Sequence, residues 1–420
     1  MRQPDSITRR GFIVGAAGVA ATAAISLEGC SDVSAQQKIT EGVKAQFPHA
    51  QVEYLNVEPM QVLPHSDMNM LDSLDYLSET HRFSLPLGSL LYQSSDTKAL
   101  VVAPGASSNA LIRLGFVDFE TGTLAPILDQ ALGVSEDYVI YDARASSTAL
   151  AWVECNMVQG LWRVYAVLHS DGIGSEETKL PYLLDEGAGS YMPPQLAVHG
   201  TKVYWTVMPD PAGPASTSDS YLMAAELKGQ KQGDKLESKI VYTSHGRMIT
   251  TPLVSGDVLT LVPRVDTDLV YYQLTTIDVK TDAVQNIAIL PPSVRVSDAV
   301  WLTDGFSFGI EGNYDYAKGL SLFGTYLQLG DGKYLYINKA PTSATMRMKS
   351  LTYVKSTKNV LGLDPKQGNV VVVDTPQDCI DYGDILAGVG SQNRLVLYTT
   401  VTPRIGQLRG ECRVRVFDPY

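Results

Sequence analysis

Three arginines occupy matching places in the second half of the chain and offer the clearest possibility for chemistry. Arg247, Arg295 and Arg347 each stand a similar, short distance ahead of the apolar runs that begin at Val258, Phe306 and Val360. A guanidinium group is a planar fork of donors that binds carboxylate, sulfate or phosphate with two parallel hydrogen bonds. If the runs are equivalent strands of a repeated unit, the arginines converge and predict an anion site. The alternative is that each arginine pairs with a nearby acid, such as Asp298 or Asp384, and ties neighbouring units together.

Four tyrosines accompany the arginines. Tyr191 and Tyr382 precede later apolar runs by a similar distance, and Tyr314 and Tyr316 stand in an acidic, Asn-containing stretch. Tyrosine supplies contact area at a low cost in side-chain entropy, which is typical of recognition surfaces. The candidate ligand-binding set is therefore Arg247, Arg295, Arg347, Tyr191, Tyr382, Tyr314 and Tyr316. A solvated loop is the alternative for the segment around Tyr314.

Residues for other kinds of chemistry are sparse. The chain lacks a His-Glu-x-x-His pair, a phosphate-binding Walker loop and a dinucleotide-binding glycine loop, and its six histidines are scattered. The sequence therefore leaves any catalytic residue unidentified and predicts no metal site and no cofactor. Cys155, Cys379 and Cys412 are too few and too separated for a zinc site. A disulfide between Cys379 and Cys412 is possible in an oxidising compartment, and three unpaired thiols are the alternative.

The elements that position these residues form a repeat. A polar turn followed by an apolar run recurs seven times at fairly regular intervals, with the first apolar residues at Ala99, Ala149, Val203, Val258, Phe306, Val360 and Leu395. The runs are rich in β-branched and aromatic residues and end at Gly, Asp, Asn or Pro, which predicts short strands. Trp152 and Trp205 hold the same place in consecutive repeats, which predicts core positions.

A second pattern runs in step with the first. Strand-like runs end in Asp118, Asp278 and Asp374, and the first two continue as Asp-x-x-Thr-Gly or Asp-x-x-Thr-Asp, which is typical of a tight hairpin. This turn resembles the outer-strand turn of the YncE, TolB and quinoprotein-like β-propellers. The resemblance implies an all-β fold, a β-propeller of four-stranded antiparallel blades over residues 83–420, best fitted by seven blades with six or eight as alternatives. In that fold five of the candidate residues lie in loops that enter the innermost strands, where the central channel opens: Arg247, Arg295, Arg347, Tyr191 and Tyr382. Tyr314 and Tyr316 lie in a loop between second and third strands, which opens on the same face.

The segment before the blades, residues 47–82, is predicted to close the ring. A strand within residues 51–57 would complete the last blade, and residues 66–81 would form a short amphipathic helix. The polar residues 30–46 would be a flexible tether.

Residues 1–29 are predicted to be an export signal. Arg9 and Arg10 precede a short apolar run over residues 13–27, which resembles a twin-arginine signal, and Cys30 follows a sequence that resembles a lipobox except at Glu28. This resemblance implies a lipid anchor on Cys30 and a place on the extracytoplasmic face of the cell membrane. An unmodified cysteine after an ordinary cleavage site is the alternative.

The net charge of −12 limits the class of partner. An acidic chain without a block of Lys or Arg is unsuited to nucleic acid and to adhesion on anionic lipid, so its membrane contact would be the lipid anchor only. The expected function is non-catalytic binding of an anionic small molecule, a glycan or an envelope protein on the channel face. The alternatives are a polysaccharide lyase or hydrolase acting at the channel mouth, and a structural subunit of an envelope complex.

Overall fold

The computed structural model describes residues 31–55, 62–105, 110–133, 135, 137–169, 181–228, 236–312, 320, 322–338, 344–379, 383–403 and 410–420. The predicted export signal, with Arg9, Arg10 and Cys30, lies outside this part of the chain. The described elements are α1 (Ser31–Gln46), β1 (Gln51–Tyr54), β2 (Val62–Pro64), β3 (Asn69–Asp72), β4 (Leu77–Leu85), β5 (Leu90–Gln93), β6 (Lys98–Pro104), β7 (Leu111–Asp118), β8 (Leu124–Leu128), β9 (Tyr138–Ala145), β10 (Ala149–Asn156), β11 (Leu161–Leu168), β12 (Tyr182–Gly187), β13 (Leu196–His199), β14 (Lys202–Val207), β15 (Ser220–Glu226), β16 (Lys239–Ser244), β17 (Leu253–Ser255), β18 (Val258–Leu261), β19 (Gln273–Asp278), β20 (Val284–Ile289), β21 (Val296–Leu302), β22 (Gly305–Ile310), β23 (Gly324–Gly330), β24 (Lys333–Ile337), β25 (Met346–Met348), β26 (Leu351–Lys355), β27 (Val360–Asp364), β28 (Asn369–Val373), β29 (Ile385–Leu386), β30 (Gly390–Ser391), β31 (Leu395–Val401) and β32 (Glu411–Pro419).

Most strands belong to small antiparallel sheets that follow one another along the chain. Six blades each take four consecutive strands, and we number them I (β5–β8), II (β9–β12), III (β13–β16), IV (β17–β20), V (β21–β24) and VI (β25–β28). In each, the first strand is the inner one and the fourth is the outer one. The predicted all-β propeller of four-stranded antiparallel blades is confirmed.

Both chain ends contribute to a seventh sheet, blade VII, in which the strand order is β29-β31-β32-β4. The outer strand β4 pairs antiparallel with β32, from Leu77 opposite Pro419 to Leu85 opposite Cys412. The closing strand is therefore Leu77–Leu85, and the prediction that residues 51–57 supply it is wrong. Those residues instead include β1, which pairs parallel with β20 as an added fifth strand of blade IV.

The hydrophobic cores lie between the blades and close the ring. One core joins blades I and II, and others join II to III, III to IV, IV to V, V to VI, VI to VII and VII to I. Because each middle strand is covered on both faces, its side chains are buried without the alternation of a one-sided sheet, as in β10. Trp152 and Trp205 are fully buried in two of these cores, as predicted.

The N-terminal segment wraps the outer edges of four blades. After β1 on blade IV, β2 pairs parallel with β24 of blade V, and β3 pairs parallel with β28 of blade VI, before β4 completes blade VII. The amphipathic helix predicted over residues 66–81 is wrong. Backbone pairing to exposed sheet edges holds the described parts of the segment extended, and short 3-10 turns interrupt these parts at His65–Asp67 and Ser73–Asp75.

The polar segment predicted as a flexible tether is also different in the structure. Residues Ser31–Gln46 form α1. Ile39, Val43 and Phe47 recur at helical spacing and pack on Ile287 and Ile289 of blade IV. Two apolar residues of the helix and Phe47, which follows it, thus dock the helix on blade IV. Within the described residues, no helix is long and apolar enough to cross a membrane.

Candidate functional site

The two ends of the channel differ in the loops that form them. Segments that enter the inner strands and loops between second and third strands lie at one end, which we call the mouth face; residues 188–195, 208–219, 245–252, 262–272 and 290–295 belong to it. The hairpin turns between first and second strands lie at the other end, the turn face. Because inner strands of neighbouring blades run the same way, residues just before them gather around the channel opening.

Arg247 enters blade IV on the mouth face and is half-buried. One Nη atom donates to the carbonyl of Pro209, and the other lies 3.2 Å from Sδ of Met192. Burial lowers the pKa of Arg247, and the nearby charge of Arg295 lowers it further, while Asp210 opposes the shift. Among the described residues, no carboxylate lies within ion-pair distance of this guanidinium. Arg247 is thus a desolvated cation with neutral acceptors.

Arg295 enters blade V on the same face, as predicted. Its Nε atom lies 3.6 Å from a carboxylate oxygen of Glu311, and both side chains are substantially exposed. An exposed ion pair of this length contributes little stability, so it can exchange for another anion at small cost. The electrostatic coupling to Arg247 shows that two of the three predicted arginines lie close together.

Arg347 occupies a different place. It lies within the inner strand β25, beside the hairpin turn of blade VI, and donates to Asp304 Oδ1 in the corresponding turn of blade V at 2.7 Å. The alignment that matched it to the other arginines used Val360 as a second strand, whereas Val360 begins the third strand of blade VI. The other six markers do fall in second strands. Arg347 is therefore a tie between blades on the turn face.

The tyrosines are only partly described. Tyr191 lies on the mouth face, where its backbone pairs with Pro209 and its carbonyl accepts a hydrogen bond from Trp162 Nε1 at 3.2 Å. Its side chain is exposed, and its neighbours Met192 and Pro209 contact Arg247. Tyr314, Tyr316 and Tyr382 lie outside the described residues. Two tyrosines that the sequence pattern did not single out, Tyr141 and Tyr272, are close enough to influence the pKa of Arg247.

One carboxyl group on the inner wall has a raised pKa. Asp298 of β21 is surrounded by protein atoms yet keeps some access to solvent, and burial raises its pKa to about 6, against a hydrogen bond from Ser297 that lowers it. The other carboxyl groups with a raised pKa, Glu154 and Asp384, are buried elsewhere. Glu154 accepts from the Trp152 indole inside blade II, and Asp384 pairs with Arg415 next to blade VII. Neither Asp298 nor Asp384 pairs with the mouth arginines.

A chain segment lies across the channel near the turn face. We call residues 388–392 the channel segment. Its strand β30 pairs parallel with β25 of blade VI and also contacts β17 and β21 of blades IV and V. Ser391 N donates to Ser255 Oγ at 3.2 Å, and Gln93 N of blade I donates to the adjoining Ala387 carbonyl at 3.0 Å. The segment therefore contacts the inner strands of three neighbouring blades near the turn face.

Further groups with possible chemistry are structural. Residues 305–309 match the Gly-x-Ser-x-Gly pattern of serine hydrolases, but Ser307 is fully buried within strand β22 and does not stand at a strand-to-helix turn. Cys379 and Cys412 are not bonded to each other, so the possible disulfide is not formed; Cys412 is buried in the core between blades VII and I. The described residues contain no group of three His, Cys, Asp or Glu side chains placed to hold a metal ion.

Comparison with known proteins gives likenesses in solved structures only. No family model and no curated protein matches the chain. A puromycin hydrolase shares 15% identity, with a TM-score of 0.47, over 75% of this chain and 50% of that chain. BamB from Moraxella catarrhalis shares 11% identity, with a TM-score of 0.40, over 81% of this chain and 99% of that one. Prolyl oligopeptidase B from Galerina marginata shares 11% identity, with a TM-score of 0.44, over 91% of this chain and 53% of that chain.

The chain therefore spans about half the length of the two hydrolases and nearly the whole of BamB. At TM-scores of 0.40 to 0.47 these likenesses do not bear on ligand or activity. The propeller fold follows from the sheets and the interblade cores of this chain itself.

Proposed function

We propose that this propeller is a binding protein that holds an anionic ligand on its mouth face between Arg247 and Arg295, without catalysing a reaction. The observation that carries the proposal is the environment of Arg247, a half-buried guanidinium with neutral acceptors and a second arginine nearby. Desolvation and like charge both raise the free energy of this cation. A bound carboxylate, sulfate or phosphate relieves both effects and accepts charge-assisted hydrogen bonds.

The geometry favours binding over catalysis at this site. A hydrolase or lyase acting on a polymer needs an acid and a base with separated pKa values near the scissile bond. Among the described residues, the inner wall provides one such carboxyl group, Asp298, and the two others with a raised pKa, Glu154 and Asp384, are buried away from the mouth arginines. The exported, lipid-tethered location expected from Arg9, Arg10 and Cys30 belongs to the same proposal. Its test is loss of membrane association of the Cys30→Ala protein on cell fractionation.

Isothermal calorimetry with dicarboxylates, inorganic phosphate and acidic oligosaccharides tests the binding proposal. We expect one site per chain for at least one of these anions. Arg247→Gln should weaken its affinity by at least about tenfold, because a charge-assisted hydrogen bond contributes about 1.5–3 kcal/mol. Arg295→Gln should weaken it less, because an exposed guanidinium is already solvated and must leave Glu311.

Arg347→Gln is the matched control, because it removes the same group from the turn face. It should lower the melting temperature by breaking the contact with Asp304 and leave anion affinity unchanged. The proposal fails if wild type binds none of the anions, or if Arg347→Gln weakens binding as much as Arg247→Gln does.

A further inference from the structure

A cleft lies between blades IV and V near the turn face. It has a volume of about 390 Å³ and is bounded by β1, β20 and the turn-face half of blade V, with lining residues Gln51, Val52, Glu53, Asn286, Ile287, Trp301, Asp304, Phe306 and Gln328. Because the cleft adjoins the turn of blade V at Asp304, it is separate from the mouth face. Its volume suits one or two sugar rings rather than a macromolecule.

An aromatic wall forms one side of the cleft. Trp301 is partly exposed and packs edge-on against Phe306, with ring centroids 4.8 Å apart. Its backbone N donates to Thr260 Oγ1 at 2.9 Å, which fixes the strand that carries the ring. The other three tryptophans of the chain, Trp152, Trp162 and Trp205, are at most 3% exposed. The single accessible indole therefore lies at this cleft.

The polar groups that line the cleft are held in place by hydrogen bonds and ion pairs. Gln328 accepts from the backbone N of Phe306 at 3.1 Å and donates to Glu53 Oε1 at 3.0 Å. The close approach of Gln328 depends on Gly305, where a Cβ would lie 3.0 Å from the Gln328 Cβ. Asn286 is anchored by Thr276, and Asp304 by Arg347. Carboxylate and amide groups therefore line the same cleft as an indole ring, and each has a hydrogen-bond or ion-pair partner in the structure.

We infer that this cleft binds a neutral saccharide unit. The apolar face of a pyranose ring packs on an indole, while its hydroxyl groups both donate to carboxylates and exchange hydrogen bonds with amides. Glu53 and Asp304 disfavour an anion here, in contrast to the arginines of the mouth face. The cleft therefore binds a neutral ligand, whereas the mouth face binds an anion, and the saccharide site does not depend on the anion site.

Tryptophan fluorescence of the full chain tests the inference, because its accessible indole is Trp301. The probes are neutral hexoses, N-acetylhexosamines and their disaccharides. We expect a saturable change in emission with at least one of them, and a dissociation constant that calorimetry reproduces. Glu53→Gln should weaken that affinity by about tenfold, since it removes a charged acceptor and keeps the side-chain shape.

Two further variants make the result decisive. Trp301→Phe retains an aromatic ring in the core between blades IV and V, so the protein should fold, lose the fluorescence response and bind more weakly by calorimetry. Glu120→Gln removes an exposed carboxylate on blade I and should change nothing. The inference is overturned if no neutral saccharide binds at millimolar concentration, or if Glu53→Gln and Trp301→Phe bind as wild type does.

Discussion

Single aspartate side chains shape the turns between third and fourth strands. Asp118 Oδ1 accepts from the backbone N of Glu120 and of Thr121, both at 3.0 Å, and Gly122 follows with a φ of 66°. Asp278 repeats the same bonds, and Asp282 takes the positive φ there. Hydrogen bonds to the ionised carboxylate, first of all from Thr121, lower the pKa of Asp118. The turn is therefore stabilised by the charged form of the side chain.

The pH dependence of one substitution follows from that lowered pKa. Asp118→Ala should lower the free energy of unfolding at pH 7 by about 1 kcal/mol. A carboxylate whose folded pKa is lowered stabilises the protein above its unfolded value of 3.8, and this contribution is lost as the pH falls through the folded pKa. Urea unfolding at pH 7 and at pH 3 measures the difference between wild type and variant at each pH.

The difference in the free energy of unfolding between wild type and Asp118→Ala should be smaller at pH 3 than at pH 7. Thr97→Ala, on the neighbouring turn of the same blade, is a control that carries no titrating group. A gap between wild type and Asp118→Ala that stays constant with pH would contradict the role given to the carboxylate.

At the residue scale, the sequence predicts what is local. The Asp-x-x-Thr turns are confirmed at Asp118 and Asp278 because all their partners lie within a few residues, whereas the third example, Asp374, follows an outer strand and the equivalent turn is at Asp364. The partners of the arginines come from elsewhere in the chain. Pro209 and Met192 reach Arg247 across a blade boundary, and nothing in the local pattern identifies them.

At the scale of elements, the channel segment is the least regular part of the ring. Gly390 adopts a φ of 67°, and a Cβ on it would lie 2.5 Å from the Cβ of Ser255. Its backbone N donates to the carbonyl of Thr345 at 3.0 Å. The segment thus passes so close to blade IV that only glycine fits.

Gly390→Ala should destabilise the protein by two separable effects. The positive φ costs an alanine about 1–2 kcal/mol, and the overlap with Ser255 adds about 1–3 kcal/mol. Gly368→Ala is the control for the first effect, because Gly368 has a φ of 68° and open space where its Cβ would be. The measurement is the free energy of unfolding in denaturant.

Ser255→Gly should recover part of the loss in the Gly390→Ala background, because it removes the atom that overlaps. Equal costs for the two glycine substitutions, or no recovery, would show that the channel segment does not pack on blade IV as described.

Element-scale prediction from sequence succeeds for strands with a repeated pattern and fails for the others. Six of seven second-strand markers are confirmed, because apolar runs bounded by turn residues are typical of strands buried on both faces. The very short strands β29 and β30 leave no such run, and among its described side chains α1 has two apolar residues in the docking contact, Ile39 and Val43. The strands β1, β2 and β3 are held by pairing with the outer strands of blades IV, V and VI. This pairing could not be predicted locally, because those blades are far away in sequence.

The whole molecule is a ring whose seam is closed by β4. This strand completes blade VII, and its ends Leu77 and Leu85 pack in the cores toward blades VI and I respectively. Arg415 of β32 adds a buried ion pair to Asp384 and a contact of 3.7 Å to Glu79 of β4. Charge pairing and two cores therefore meet at the strand that joins the chain ends.

Two truncations separate the closing strand from the edge strands that precede it. A chain that begins at residue 76 retains β4 and should unfold cooperatively, with a modest loss of stability from uncovered sheet edges. A chain that begins at residue 87 lacks β4, exposes two cores and leaves Arg415 without Glu79, so its melting temperature should fall sharply or its cooperative transition should disappear. Similar melting curves for the two chains, recorded by circular dichroism, would contradict the conclusion that β4 closes the ring.

The central claim is that Arg247 and Arg295 together hold an anion at the open end of the channel. The most direct measurement is a crystal structure of the protein with the tightest-binding anion of the calorimetric panel. We predict that the anion is hydrogen-bonded to both guanidinium groups and that Arg295 has moved away from Glu311. An anion bound elsewhere, or an unoccupied mouth face with the Arg295–Glu311 contact of 3.6 Å unchanged, would contradict the claim.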